Sequence, residues 1–359
     1  MLQTLRLFQF KNHSDISFDF EDINLIYGPN GSGKTNILES IYLLVNGKLP
    51  SNHNVSNLIS TGKDNFLVCG GSVSDFMHKE LKMTGERESN KLNFIVNKTV
   101  FTKAKYLQSK NDIALFFSPM EVNIVYLGPT LRRDFLDEAI SLAFTEFTKI
   151  RSDYIKILRN RNRLLKDISE GKAAKADLVF WDDSFIRSAA NYYLYRKRFI
   201  DYVKSNMETF SRLLGSKYEL EFFYESKVDL DDIGGSIRSY LSKNIDRDII
   251  LGHTYIGPHL DDFYFNVILH DEKMKSQDYL SRGENKSLLI GLKFLEISFL
   301  ESIHEKNIIL LLDDIFSELD DVHVALVMEK CRNYQTFITS QNIPIFPQFD
   351  AQFKKININ

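Results

Sequence analysis

Residues 28–35 read Gly28-Pro29-Asn30-Gly31-Ser32-Gly33-Lys34-Thr35, the G-x-x-x-x-G-K-T spacing of a phosphate-binding loop. Its glycines let successive backbone N–H groups turn inward around phosphate oxygens, and a helix starting at the loop adds a field favourable to anions. Lys34 is expected to pair with β- and γ-phosphates, and the Thr35 hydroxyl to ligate Mg²⁺. Far downstream, the apolar run Ile308-Ile309-Leu310-Leu311-Leu312 ends in Asp313 and Asp314. Asp313 is expected to hold the Mg²⁺ shell through water, and Asp314 to act as the general base that orients an attacking water. An Asp reaches one methylene less far than a Glu, so slow hydrolysis is expected. A third set is Ser281-Arg282-Gly283-Glu284, where Ser281 and Glu284 have capping-box spacing. The N–H groups at such a helix start can also receive a phosphate. One active site has no use for two such cradles; a γ-phosphate held by a second subunit does.

These residues need elements to hold them. The loop follows Leu25-Ile26-Tyr27, a short strand, and enters a segment with Ile37, Leu38, Ile41, Leu44 and Val45 at helical spacing. Residues 2–10 and 16–20 alternate apolar and polar, with a turn at Lys11-Asn12-His13-Ser14-Asp15, so a hairpin should precede the loop. A polar loop around 46–57, strands at 66–73 and 92–96, and a turn at 85–90 complete a mixed β-rich lobe around one helix. The run 308–312 is apolar at every position, as in a parallel strand buried on both faces, and ligands gather at the carboxyl ends of such strands. Ser281 opens an amphipathic helix, and 335–338 is the last strand. Between these parts, 130–168 and 177–214 show helical periodicity interrupted at Gly171. Two helices of roughly 38 residues would fold back as an antiparallel hairpin roughly 55 Å long. Phe117-Ser118-Pro119 and Leu127-Gly128-Pro129 punctuate the entry to this arm. Strands are expected at 220–224 and within 252–267, and a turn at Gly234-Gly235. The domain division that follows is 1–115 for the N-terminal part of an ATPase core, 116–245 for an inserted helical arm, and 246–359 for the C-terminal part of the core.

The chain has 359 residues, 43% hydrophobic and 13% aromatic, ample for a buried core. A net charge of −3 gives no global nucleic-acid signal, so any such contact must come from local basic patches. Cys69 and Cys331 lack metal-ligand spacing and suit a reducing compartment. With no secretory h-region and no apolar run of about 18 residues, a cytoplasmic protein without a membrane partner is expected.

The arrangement resembles the ABC-type ATPase heads of the SMC superfamily and, within it, the RecF family of DNA replication and repair proteins. The resemblance rests on several stretches taken in order. They are Asn24-Leu25-Ile26-Tyr27 leading into Gly28 through Asn36, then Phe117-Ser118-Pro119, and Gly128-Pro129 with Arg132-Arg133 and Phe135-Leu136-Asp137. Tyr255-Ile256-Gly257-Pro258-His259 with Asp261-Asp262 follows, and last the stretch from Leu311 to Asp320. It implies an α/β fold of the ABC/SMC P-loop head type, with mixed β-sheets and an inserted helical arm. It implies ATP and Mg²⁺ as ligands, with nucleotide contacts from Gly28 through Asn36. It also implies an ATP-dependent homodimer in which Ser281, Gly283 and Glu284 of one subunit complete the site of the other, and weak ATP hydrolysis that acts as a switch. Members of the family recognise duplex DNA near single-strand gaps, work with RecO and RecR, and promote RecA loading in recombinational repair. The chain departs from the pattern in four places. Glu284 stands where Gln is usual, and Leu260 where Arg is common. Thr339-Ser340-Gln341-Asn342 stands where transporter ATPases carry a switch His, and the loop 49–57 has no Arg.

Basic residues concentrate on the arm: Lys156, Arg159, Arg161, Arg163, Lys166, Arg187, Arg196, Lys197 and Arg198. They are candidates for neutralising DNA phosphates, or else a solvated helix face with acidic neighbours. Tyr192, Tyr193 and Tyr195 read as packing residues. Besides a DNA-repair ATPase, two classes fit a P-loop. A transporter ATPase subunit predicts a switch His that the chain lacks, and a small-molecule kinase has no use for Ser281-Arg282-Gly283-Glu284. An ATPase acting on a protein partner is the remaining alternative.

Overall fold

Alternating apolar and polar residues begin the chain as strands. A computed structural model describes residues 1–49, 54–74, 77–118, 124, 126, 128–213, 218–270, 272–343 and 353–358. β1 (Leu2–Phe10) buries Leu2, Leu5, Leu7 and Phe10 and pairs antiparallel with β2 (His13–Asp19). β3 (Ile23–Tyr27) leads through the phosphate-binding loop to α1 (Lys34–Asn46). Then come β4 (Asn65–Ser74), β5 (Met77–Glu86), β6 (Lys91–Val96), β7 (Thr99–Phe101), α2 (Lys103–Gln108) and β8 (Asp112–Phe117). The strand β5 goes beyond the sequence expectation; its alternating Leu81 and Met83 are the buried pair that marks it.

The helical segment departs from a simple hairpin. It comprises α3 (Pro129–Ala143), α4 (Phe147–Ser169), α5 (Leu178–Ser205) and α6 (Met207–Leu213). The first expected long helix breaks because Phe144 takes an extended backbone (φ −130, ψ 102), turning its ring onto Tyr195 and Phe299. The second breaks at Asn206, whose side chain donates to Tyr202 O and closes the turn. Leu214, the expected end of that helix, lies outside the described residues, as do Pro119 and Leu127. β9 (Glu219–Glu225) is followed by α7 (Ile233–Leu251). Gly234 and Gly235, expected as a turn, form the first turn of α7. Asp232 caps them by accepting from the Gly235 N–H at 3.1 Å, so the pair opens a helix. The segment 252–261 is irregular rather than strand. β10 (Asp262–Leu269), β11 (Glu272–Lys275), α8 (Ser276–Tyr279) and α9 (Arg282–Ile303) follow. The chain closes with β12 (Asn307–Asp313), α10 (Asp321–Cys331), β13 (Gln335–Ser340) and β14 (Lys354–Asn357).

Contacts divide the chain into two compact units, 1–122 with 304–359 and 123–303. The second unit therefore includes residues 246–303, which sequence reading grouped with the core. β10 pairs with β9, α9 buries Phe299 against Phe144 and Phe199, and this packing ties the segment to the helices. In the first unit, one antiparallel sheet has the order β2-β1-β4-β5-β6-β7, and a parallel sheet the order β14-β3-β13-β12-β8. α1 packs against strands of both, with Ile37, Leu38, Ile41, Leu43 and Leu44 fully buried. β12 lies between β13 and β8, and its residues 308–312 are all buried, as an uninterrupted apolar strand requires. The second unit holds the sheet β11-β10-β9 against its helices. No helix among the described residues is long and apolar enough to cross a membrane.

Candidate nucleotide-binding site

β3 and β13 end side by side, pairing Tyr27 with Ser340, and the Gly28 N–H donates to Ser340 O at 3.4 Å. The loop from Gly28 to Gly33 turns tightly, with the Ser32 N–H donating to Pro29 O at 3.3 Å. Gly33 then starts α1 with a left-handed backbone (φ 97) and no side-chain cap. The first amide of the helix to find an intrahelical acceptor is that of Ile37, on Gly33 O at 3.1 Å. The amides of Gly33, Lys34, Thr35 and Asn36 are left without acceptors among the described residues, and no acidic residue occupies the first turn. Ser32 Oγ is buried without a hydrogen-bond partner. Lys34 is buried and folds back to donate to Gly28 O and Pro29 O, both at 2.9 Å. Uncapped amides, an unpartnered hydroxyl and a cation turned onto the loop form a donor set fitted to phosphate.

The β1–β2 turn grips this loop from outside, a role that sequence reading did not assign to it. Asn12 accepts from Asn36 Nδ2 at 2.7 Å, and His13 Nε2 lies 3.1 Å from Gly33 O. Lys11 pairs with Glu39 of α1. Burial lowers the His13 pKa, partly opposed by the bond to Gly33, so its ring donates to Gly33 O as neutral imidazole. A Cβ on Gly33 would stand 2.4 Å from Asn12 Nδ2 and 2.6 Å from His13 Nε2, so this position requires glycine on two counts.

Thr35 and Asp313 meet, as their shared chemistry demands. Thr35 Oγ1 donates to the Asp313 carboxylate, 3.0 Å from each oxygen. Thr339, buried at the end of β13, donates to Asp313 Oδ1 at 2.7 Å and accepts from the Asp314 N–H at 3.0 Å. It orients the Asp313 carboxylate and anchors the Asp314 backbone, and nothing in Gln335-Thr336-Phe337-Ile338-Thr339-Ser340 sets it apart from Thr336 in the same strand. Asp314 takes a left-handed backbone (φ 49), uncommon for a residue with a side chain. Burial raises its pKa, with further contributions from Asp313 and Glu318, and Lys34 opposes them. Among the described residues no cluster of three or more His, Cys, Asp or Glu could hold a metal. A hydroxyl beside one carboxylate suits Mg²⁺, which keeps water and phosphate oxygens as its other ligands.

Ser281, Gly283 and Glu284 lie in the other unit, at the start of α9. The capping box is formed: Ser281 Oγ accepts from the Glu284 N–H at 3.3 Å, and Glu284 accepts from the Ser281 N–H at 2.9 Å. The amides of Arg282 and Gly283 keep no acceptor among the described residues. A Cβ on Gly283 would meet nothing within 4 Å, so nothing inside this chain requires glycine there.

Several basic candidates are not available to DNA. Arg161 is fully buried, bonded to Asp182 at 2.8 Å, Asp248 at 3.1 Å and Thr254 at 2.6 Å. Arg196 is 1% exposed and bonds Asp137 at 2.9 Å, Pro258 O at 2.7 Å and Tyr224 at 3.1 Å. Arg132 makes a two-pronged pair with Asp262 at 2.6 and 2.7 Å, and Arg133 donates to Asp261 O. Tyr154 donates to His259 Nδ1 at 2.5 Å while His259 Nε2 donates to Thr254 O, a neutral tautomer that burial favours by lowering the pKa to about 4. The motif residues Asp137 and Asp261, both buried, and Arg132, Arg133, His259 and Asp262, half-buried, thus spend their polar groups on contacts inside the helical unit. Tyr192 and Tyr193 are buried in it, while Tyr195 packs on Phe144 and Phe147. Lys156, Arg159, Arg163, Lys166, Arg187 and Arg198 remain exposed, and Lys197 is partly exposed beside Asp201.

Comparison with known proteins adds a family to this geometry. Residues 1–357 match the RecF/RecN/SMC N-terminal domain model. The chain is 32% identical over 337 residues to the DNA replication and repair protein RecF of Thermoanaerobacter sp. (strain X514), covering 92% of this chain and 91% of that one. It is 32% identical over 351 residues to RecF of Ruminiclostridium cellulolyticum, covering 95% and 93%. Its fold is similar to a solved structure of the recombination mediator protein RecF-ATP in the RecFOR pathway. There the TM-score is 0.83 and the identity 28%, over 96% of this chain and 93% of that one. The fold is therefore the ABC-type ATPase head of this family, an α/β architecture with an inserted helical part.

Proposed function

The chain belongs to the RecF family of DNA replication and repair proteins, and on that premise we propose that it is an ATP-gated clamp of recombinational repair and replication restart. The loop from Gly28 to Asn36 binds the phosphates of ATP. The free amides of Gly33 through Asn36 receive phosphate oxygens, and Lys34 exchanges its two carbonyl partners for β- and γ-phosphate. Thr35 and Asp313 hold Mg²⁺, which neutralises phosphate charge when bound. Asp314 orients the attacking water. Its raised pKa makes it a stronger base than an ordinary aspartate, and its short reach keeps hydrolysis slow, so turnover resets the clamp. Ser281, Gly283 and Glu284 of one subunit complete the site of a second in an ATP-dependent homodimer. The clamp acts on duplex or gapped DNA, with RecO and RecR as partners and RecA loading as the outcome. The RecFOR setting of the similar recombination mediator supports those partners.

The observation that carries this reading is the uncapped first turn of α1, with Lys34, Thr35 and Asp313 gathered around it. The test is light scattering of the full chain with and without ATP·Mg²⁺, beside Ser281→Arg. Doubling of mass with ATP in the parent chain, lost in Ser281→Arg while nucleotide affinity stays within about threefold, is expected. A variant that dimerises fully with ATP removes the shared-site model.

A further inference from the structure

The outward face of α4 carries a row of cations with almost nothing to neutralise them. α4 has seven Lys and Arg against two Asp in 23 residues, in a chain whose net charge is −3. Two of the seven turn inward: Arg151 to Asp134 and Asp137, and Arg161 to Asp182 and Asp248. The other five, Lys149, Lys156, Arg159, Arg163 and Lys166, are exposed. At about 100° per residue their spacings keep all five within roughly a quarter of the helix circumference. Lys156 approaches Asp153 at 3.9 Å and Lys166 lies within electrostatic reach of Glu170, while among the described residues Lys149, Arg159 and Arg163 have no ion-pair partner. From Lys149 to Lys166 the row rises about 25 Å.

The chemistry of this face narrows what it fits. No large exposed hydrophobic side chain lies on α4, so a protein partner would find no apolar anchor there. Its aromatic residues, Phe147 and Tyr154, are buried, so a single strand would find no ring on which to stack bases. A straight, purely cationic row matches a line of backbone phosphates, and 25 Å spans about seven base pairs of duplex. We propose that the outward face of α4 is a contact surface for the backbone of duplex DNA, formed by Lys149, Lys156, Arg159, Arg163 and Lys166. This rests on the DNA-binding reading above and adds the surface and the form of DNA it takes. Such contacts position the duplex without reading its sequence.

The test uses the full chain with ATP·Mg²⁺ and the anisotropy of a labelled 30-base-pair duplex between 50 and 200 mM salt. It compares the parent chain with Lys156→Gln/Arg159→Gln/Arg163→Gln. A control, Lys63→Gln/Lys91→Gln/Lys98→Gln, removes the same charge from exposed positions of the other unit. Each phosphate contact contributes about 0.9 to the slope of log affinity against log salt, so the α4 variant should lose about 2.7 and the control almost nothing. Nucleotide affinity should be the same in all three proteins. Equal slopes in the α4 variant and the parent overturn the surface while leaving DNA binding in place. Loss confined to a 30-nucleotide single strand overturns the choice of duplex. A parent chain that binds no duplex at any salt removes the DNA reading and this surface together.

Discussion

Replacing Arg196 with Met separates a structural cation from a DNA-binding one. The guanidinium is 1% exposed and donates to Asp137, Tyr192, Tyr224 and Pro258 O. Removing one partner of a buried ion pair costs about 3–5 kcal/mol, because the remaining charge has lost its partner. Here Asp137 keeps the Tyr192 hydroxyl at 2.6 Å and Arg151 at 3.1 Å, which places the carboxylate's share near the low end, about 3 kcal/mol. Pro258 O loses its 2.7 Å donor, adding about 1 kcal/mol for an unmet buried carbonyl. The sum, about 4 kcal/mol, falls on a unit spanning residues 123–303 and should lower its melting temperature by about 10 °C. Urea unfolding of the full chain by circular dichroism reads the loss. Asp137→Asn in the same background should add much less than it costs alone, since the two side chains share one network. DNA affinity of the folded variant should be unchanged. A stability change below about 1 kcal/mol together with weakened DNA binding would refute the burial argument.

Two further outcomes follow from local geometry. Gly33→Ala forces a Cβ into Asn12 and His13 at a left-handed φ of 97, so ATP affinity should fall by about five- to 150-fold for about 1–3 kcal/mol of strain; unchanged binding by calorimetry would contradict the contact. His259, held neutral with a pKa of about 4 against an ordinary 6.5, contributes stability that is complete above pH 6.5 and is lost as pH falls toward 4. That loss amounts to about 3 kcal/mol, and urea midpoints of the parent chain and His259→Asn at pH 7.5 and 4.5 should diverge; parallel shifts would exclude His259 as the cause.

The nucleotide site was legible because its chemistry is local. One spacing names the loop, and an apolar run closed by two carboxylates names the strand that faces it. The structure joins them through Thr35 and Asp313. What sequence reading missed depends on residues that meet across the fold. Asn12 and His13 form an ordinary turn until α1 is folded against them, and Thr339 becomes a bridge only when β13 lies beside β12. The break at Phe144 was hidden because apolar periodicity runs through it, and the extended residue is held by rings distant in sequence.

The basic residues of the arm teach a sharper point, because composition misleads there while phase does not. On α5 the buried positions Phe185, Ala189, Tyr192, Phe199 and Val203 recur at steps of four, three, seven and four residues, and Arg196 occupies the gap in that row. On α4, Arg161 falls on the side of the buried Phe147, Tyr154 and Leu165. A cation in the apolar phase of a helix must be neutralised inside the protein, since an unpaired buried charge is too costly to keep. Asp137, Asp182 and Asp248 do this from other parts of the chain. On the opposite phase of α4, Lys149, Arg159 and Arg163 have no ion-pair partner among the described residues and remain available to a polyanion. Phase thus sorts one group of Lys and Arg into two roles, the inner set holding the arm together and the outer set facing the surface where we place duplex DNA.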